Sequence, residues 1–184
     1  MTLQTKRLTY EEYLKLPEVR RRYEIIDGEM VTAPGPSTEH QVILAQLFFH
    51  LYWFVNEHGL GTVLFAPLDV LIEREPLRTR QPDLLFVSKE RSSILGQIVE
   101  GAPDLVVEVL SPGNTRGDMD DRLADYAGLG IRECWLVSPE GRTVEVLSLA
   151  GGNWKRVSLS GVGDTIRSAV LQGLEVPVSQ IFVQ

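Results

Sequence analysis

Two short apolar runs each carry a single internal acid, and this constrains the fold and chemistry of the chain more than any other feature. Asp83 stands in Gln81-Pro82-Asp83-Leu84-Leu85-Phe86-Val87, and Glu108 in Asp104-Leu105-Val106-Val107-Glu108-Val109-Leu110. Both runs have the length and the Val and Leu content of buried strands. A carboxylate without partners in such a place is costly, so each acid calls for a cation or a set of donors. One divalent ion would satisfy both. A structural reading stands beside it: Glu108 shares its parity with Asp104, Val106 and Leu110 and could look to a solvated sheet face, and Asp83 could simply open its strand after Pro82.

At 184 residues the chain has the size of one domain, 1–184, and its 43% hydrophobic and 23% charged residues are those of an ordinary globular protein. The segment from Met1 to Arg7 has no apolar leader, and the run from Val42 to Val55 is too short to span a bilayer. A cytoplasmic protein without membrane contact is expected. The single cysteine, Cys134, lies in the apolar run Cys134-Trp135-Leu136-Val137 and reads as a packing residue. The net charge of -7 argues against a protein that coats nucleic acid by bulk electrostatics. Any such partner must be held locally, and three basic clusters are candidates: Arg20-Arg21-Arg22, the loop from Arg74 to Arg80 with Arg78, and Arg142 with Lys155 and Arg156. Each also reads as a solvated surface.

Thr9 and Glu12 have capping-box spacing, which predicts a helix from Tyr10 to Leu16. Arg22 to Ile26 and Glu29 to Ala33 flank Asp27-Gly28, a hairpin signal. After Pro34-Gly35-Pro36, Ser37 caps a long helix that ends at His58 before Gly59. Twelve of the fourteen residues from Val42 to Val55 are apolar or aromatic, so this helix must be covered on more than one side, by the sheet and by a second copy or another part of the chain. Strands are predicted over Thr62 to Ala66, Leu68 to Ile72, Asp83 to Val87 and Asp104 to Leu110, with a loop from Glu73 to Gln81. Ser88 to Gly101 is partly helical. A helix from Arg116 to Leu129 closes at Gly130, and Glu133 to Ser138, Thr143 to Leu149 and Trp154 to Leu159 form a meander before a short helix from Val178 to Phe182.

These elements and their motifs resemble the restriction-endonuclease-like proteins, a bacterial family within the PD-(D/E)xK nuclease superfamily. The matching stretches are Tyr10-Glu11-Glu12-Tyr13-Leu14, Arg22-Tyr23-Glu24-Ile25-Ile26-Asp27-Gly28-Glu29, His40-Gln41, Pro67-Leu68-Asp69-Val70, Gln81-Pro82-Asp83-Leu84, Pro103 to Pro112, and Tyr126 with Gly130-Ile131, Glu133 and Trp135-Leu136-Val137. The resemblance implies an α/β fold of mixed α+β type: a mixed central β-sheet flanked by helices, with additional amino- and carboxyl-terminal hairpins. It implies that Asp83 and Glu108, with the carbonyl of Val109, hold Mg²⁺ or Mn²⁺, and that Glu24 joins the pocket as a second-metal ligand or water orienter, its alternative being an exposed strand carboxylate.

The activity so implied is metal-dependent endonucleolytic hydrolysis of DNA, in a homo-oligomer that is most simply a dimer. The superfamily lysine two positions after the second acid is replaced by Leu110. The family's substitute, on the following helix, falls on Arg122, which keeps the charge but cannot act as a base. Arg122 then either stabilises the transition state or only neutralises Glu108 and Asp118. The alternative function is a catalytically impaired nucleic-acid-binding or assembly module with the same fold. Lys89 reads as the exposed end of a strand. No Gly-x-Ser-x-Gly elbow is present, and His40, His50 and His58 are not spaced as ligand pairs, although His40 at its helix start could contact a phosphate.

Overall fold

The computed structural model describes residues 7–16, 23–32, 35–113 and 115–182. In α1 (Tyr10–Tyr13) the Thr9 hydroxyl accepts from Glu12 N–H and the Glu12 carboxylate from Thr9 N–H, the reciprocal cap that the spacing predicts. The hairpin of β1 (Tyr23–Ile26) and β2 (Glu29–Thr32) turns at Asp27 and Gly28, with φ of 53° and 82°. Two consecutive left-handed residues give the turn whose twist matches paired strands. Arg22, Ala33 and Pro34, expected at its ends, and the cluster Arg20-Arg21-Arg22 lie outside the described residues. The long helix α2 (Thr38–His58) starts on Ser37 and ends on Gly59 at φ 61°.

The chain continues through β3 (Gly61–Phe65), β4 (Val70–Arg74), β5 (Leu77–Arg80), β6 (Leu84–Ser88), a 3-10 helix (Lys89–Ile94) and β7 (Leu105–Val109). Helix α3 (Arg116–Leu129), β8 (Glu133–Ser138), β9 (Thr143–Ala150) and β10 (Asn153–Gly161) follow, then β11 (Thr165–Arg167), β12 (Glu175–Pro177) and α4 (Val178–Ile181). The loop expected from Glu73 to Gln81 is mostly strand. Its arginines suggested solvent, yet Leu77 and Thr79 are buried and pair β5 with β4, while Arg80 is buried by ion pairs. The hairpin of β11 and β12 was not expected, because three-residue strands carry too little periodicity to read.

A central six-stranded sheet runs in the order β10-β9-β8-β7-β6-β3, with β7 and β8 parallel and the other neighbours antiparallel. Helices lie on both faces, which explains the near-continuous apolar character of β6 and β7. Leu105, Val107 and Val109 pack with Ile43, Leu47 and Leu51 of α2, whereas Val106 packs with Cys134 and with Tyr126 of α3. Glu108 therefore faces α3, and the solvated face considered for it does not exist. A smaller cluster joins Tyr13, Ile25, Leu71, Leu77 and Ile98 and fixes the amino-terminal hairpin against β5. Ile25 N–H donates to Thr79 Oγ1 at 3.1 Å and Gly28 N–H to the Leu77 carbonyl at 2.8 Å. No described helix is long and apolar enough to cross a membrane.

Two further acids are fully buried in this sheet and are satisfied by donors. Asp104 accepts from Ser88 N–H and is paired with Arg132 and Arg91. Glu133 accepts from Trp135 Nε1 at 2.8 Å, Ala169 N–H at 2.8 Å and Val170 N–H at 3.3 Å, tying β8 to the carboxyl-terminal segment. Glu133→Gln turns one acceptor into a donor facing donors and should cost about 2 kcal/mol, as for a hydrogen bond to a charged group. Urea denaturation should show a lower midpoint with an unchanged slope; an unchanged midpoint would contradict this role.

Candidate active site

The site forms where β6 and β7 meet the starts of α2 and β1. Leu84 pairs with Val107 and Leu85 with Val106; Asp83 immediately precedes β6 and Glu108 follows Val107 in β7, each one residue beyond that last pair. Asp83 Oδ2 accepts from Val109 N–H at 2.8 Å, and Oδ1 lies 3.5 Å from Nε2 of His40 in the first turn of α2. Glu108 turns to α3, where its Oε1 accepts from Arg122 at 3.1 Å and from the Tyr126 hydroxyl. Arg122 and Tyr126 are one helical turn apart, which puts both on the face of α3 that covers β7.

Glu24 enters from β1. The packing of β1 on β5 brings its carboxylate to Gln81 N–H at 2.8 Å, to Arg80 at 3.2 Å and to Arg122, which meets it through both terminal nitrogens at 2.8 and 3.1 Å. Glu24 is buried, so the exposed strand carboxylate considered for it is not what the fold contains. The structure thus links Glu24, Arg122 and Glu108 directly and places Asp83 beside them on the backbone of Val109. Arg122 neutralises Glu108 as one reading held, but its other acid is Glu24. The Asp118 carboxylate is occupied in capping α3 at Thr115.

Arginines buttress this end of the sheet. Arg80 pairs with Glu24, Asp125 and Asp121, and Arg78 with Asp27, Asp121 and Asp125. Among the described residues, then, Glu24, Glu108, Asp121 and Asp125 share the guanidiniums of Arg78, Arg80 and Arg122, with Asp83 adjacent. The expected basic loop is not a free cationic surface, since Arg74 also pairs with Glu100. Burial alone would lower the pKa of Arg122, but the charges of Glu108 and Glu24 outweigh it and hold the guanidinium protonated. Burial, reinforced by Glu108, pushes the Tyr126 and Cys134 groups well up, so neither ionises near neutrality. Burial also raises the Asp69 carboxyl, while bonds from Tyr13 and Gln81 work the other way; these contacts order the segment that leads into Asp83.

A family model described as "Uma2: Putative restriction endonuclease" matches residues 10–179. The chain belongs to the Uma2 family. A crystal structure described as a "putative nuclease belonging to DUF820" from Anabaena variabilis matches 95% of this chain and 97% of its own, with a TM-score of 0.76 and 20% sequence identity. That likeness establishes the fold. No curated protein matches the chain.

Restriction-endonuclease-like nucleases generally use divalent metals, and the donor set here suits one. Asp83 and Glu108 offer only carboxylate oxygens, which hard cations prefer, and Mg²⁺ is ordinarily held by one or two carboxylates with water and phosphate completing its shell. No group of three or more His, Cys, Asp or Glu able to hold an ion occurs among the described residues. An ion held by Asp83 and Glu108 would need further oxygen ligands from water, phosphate or the backbone to complete its shell.

Sequence reasoning passed over Tyr126 and Arg80 as site residues. Tyr126 reads as an ordinary apolar-face position of α3, and its spacing of four from Arg122 is the signal that could have found it. Arg80 precedes Gln81-Pro82-Asp83 but looked like part of a polar loop. Lys89 is exposed, as expected, and Cys134 is fully buried.

Proposed function

We propose that this Uma2-family protein is a divalent-metal-dependent endonuclease acting on the phosphodiester bonds of DNA, with Asp83 and Glu108 as its metal ligands. The observation that supports this reading is that Asp83 and Glu108 lie at the same end of the adjacent strands β6 and β7, Asp83 on the Val109 amide and Glu108 on the ion-paired Arg122. A bound Mg²⁺ or Mn²⁺ would supply an acidified water and stabilise charge on phosphoryl oxygens. In the hydrolysis a water oxygen joins phosphorus as the P–O bond to the leaving sugar oxygen breaks, with the proton reaching that oxygen through solvent. Asp83 is held in one orientation by the Val109 amide. Glu24 and Glu108 anchor Arg122, whose remaining N–H groups suit a phosphate oxygen; as an arginine it supplies charge and no base. Metal-dependent cleavage of duplex and single-stranded DNA by the purified protein, abolished by chelation, tests this directly.

A second reading has one observation in its favour. Arg122 is already committed to Glu24 and Glu108, as expected of a purely structural ion pair, and in that case the protein binds nucleic acid or assembles without cleaving.

We infer further that the protein acts as a two-fold dimer through α2. Phe49, Tyr52 and Trp53 on its outer face are 57%, 49% and 62% exposed, Phe65 beside them is 56% exposed, and α2 carries no Asp, Glu, Lys or Arg between Glu39 and Glu57. Aromatic side chains bury about 150–250 Å² each, so four at half exposure present on the order of 400 Å², toward roughly 800 Å² per partner in a standard interface. A second copy fits because two antiparallel α2 helices repeat one apolar patch and oppose their dipoles. Trp53→Glu should weaken self-association at least about thirtyfold, the loss of a ~2 kcal/mol anchor. Sedimentation showing wild type as a monomer at micromolar concentration would contradict it.

A further inference from the structure

We propose that His40 is a positioning residue that holds Asp83 in the orientation needed to bind the metal, an inference that rests on reading Asp83 as a metal ligand. His40 lies in the first turn of α2, its backbone N–H given to Ser37 Oγ at 3.1 Å, so the cap that starts the helix also fixes where the ring hangs. The ring is buried, with 6% of the residue exposed, and Nε2 is directed at Asp83 Oδ1 at 3.5 Å. The other oxygen, Oδ2, takes Val109 N–H. Asp83 is thus hydrogen-bonded by β7 at one oxygen and approached by α2 at the other.

The second nitrogen gives the reason for calling this a functional contact. Nδ1 of His40 is buried and has no hydrogen-bond partner among the described residues. A residue kept for packing alone would leave no polar atom unmatched there, and an apolar side chain would fill the space without that cost. On this reading the ring contributes through the Nε2 contact with Asp83. Groups that orient a metal's ligands from behind are worth 10–100-fold in metal affinity when removed, by the general behaviour of such contacts, roughly stated. The α2 amino terminus adds to the effect, because its partial positive charge favours a carboxylate beside it.

The test is Mn²⁺ titration of the full chain followed by electron paramagnetic resonance of the free ion, which reads binding without activity. Wild type, His40→Ala, His40→Asn, His40→Gln and Asp83→Ala are compared, with melting in chelator as the control for folding. The glutamine amide nitrogen reaches about as far as Nε2, whereas asparagine reaches only as far as Nδ1. His40→Ala and His40→Asn should weaken Mn²⁺ binding by roughly 10–100-fold, and His40→Gln should restore most of it. Wild-type affinity in His40→Ala overturns the proposal. If the alanine variant does not fold, the other pair decides: equal affinities for His40→Asn and His40→Gln overturn it too. Undiminished binding by Asp83→Ala is a different result, since it removes the metal reading itself.

Discussion

Arg122→Ala should lower stability in metal-free buffer by about 3–5 kcal/mol, the cost of breaking a buried ion pair from one side. The reason lies in what it leaves behind. Glu24 and Glu108 are both buried and both lean on the same guanidinium, and without it the two carboxylates lose the cation they share, although Arg80 and the Gln81 amide still meet Glu24 and the Tyr126 hydroxyl still meets Glu108. Mn²⁺ should then raise the melting temperature of the variant more than that of wild type, because an ion that binds only the folded state stabilises it and would now replace the missing charge. An unchanged midpoint of unfolding would contradict the pairing.

Lysine at the same position separates the two functional readings. A single ammonium cannot meet both oxygens of Glu24 and still reach Glu108, so Arg122→Lys loosens the bridge while keeping the charge. If Arg122 marks a weakened nuclease centre, cleavage should rise several-fold, and adding Asp83→Ala should erase the gain. If the protein is a binding module, the lysine variant changes stability alone. Robust wild-type cleavage that falls on conversion to lysine would make Arg122 an adapted clamp for transition-state charge.

The sequence was most legible where one local rule governs one element. Thr9 with Glu12, Ser37, Gly59, Asp27-Gly28 and Gly130 all mark boundaries that the structure contains, because caps and tight turns are set by a few neighbouring atoms. It was least legible where long-range partners decide. β5 looked like a loop because Arg78 and Arg80 look solvated until the acids of α3 are in place.

The rule that singled out Asp83 and Glu108 is incomplete in the same way. Asp104 and Glu133 are also acids in apolar strands, and both are satisfied by backbone amides, an indole or arginines in structural roles. A buried acid therefore marks a place that needs partners, and only three-dimensional placement tells a scaffold contact from a site. What sets Asp83 and Glu108 apart is their place at one end of adjacent strands beside the Glu24–Arg122–Glu108 ion pairs, four positions spread over nearly a hundred residues. Their grouping was visible from the family resemblance. The intervening contacts of His40, Arg80 and Tyr126 were not, since each depends on which faces of α2, β5 and α3 meet the sheet.

Asp83→Ala should have the largest functional effect, because it removes one of the two acids proposed to hold the metal. It should also leave Val109 N–H and His40 Nε2 without their acceptor, at about 1–3 kcal/mol, so cleavage must be measured where the variant remains folded. The decisive measurement is single-turnover cleavage of duplex and single-stranded DNA in Mg²⁺, Mn²⁺ and chelator by wild type and Asp83→Ala. The account predicts cleavage by wild type only with metal and a loss of roughly a thousandfold or more in the variant, the scale on which removal of a main electrostatic element of a catalytic site is felt. Cleavage that persists in chelator, or that survives intact in a folded Asp83→Ala protein, would contradict it.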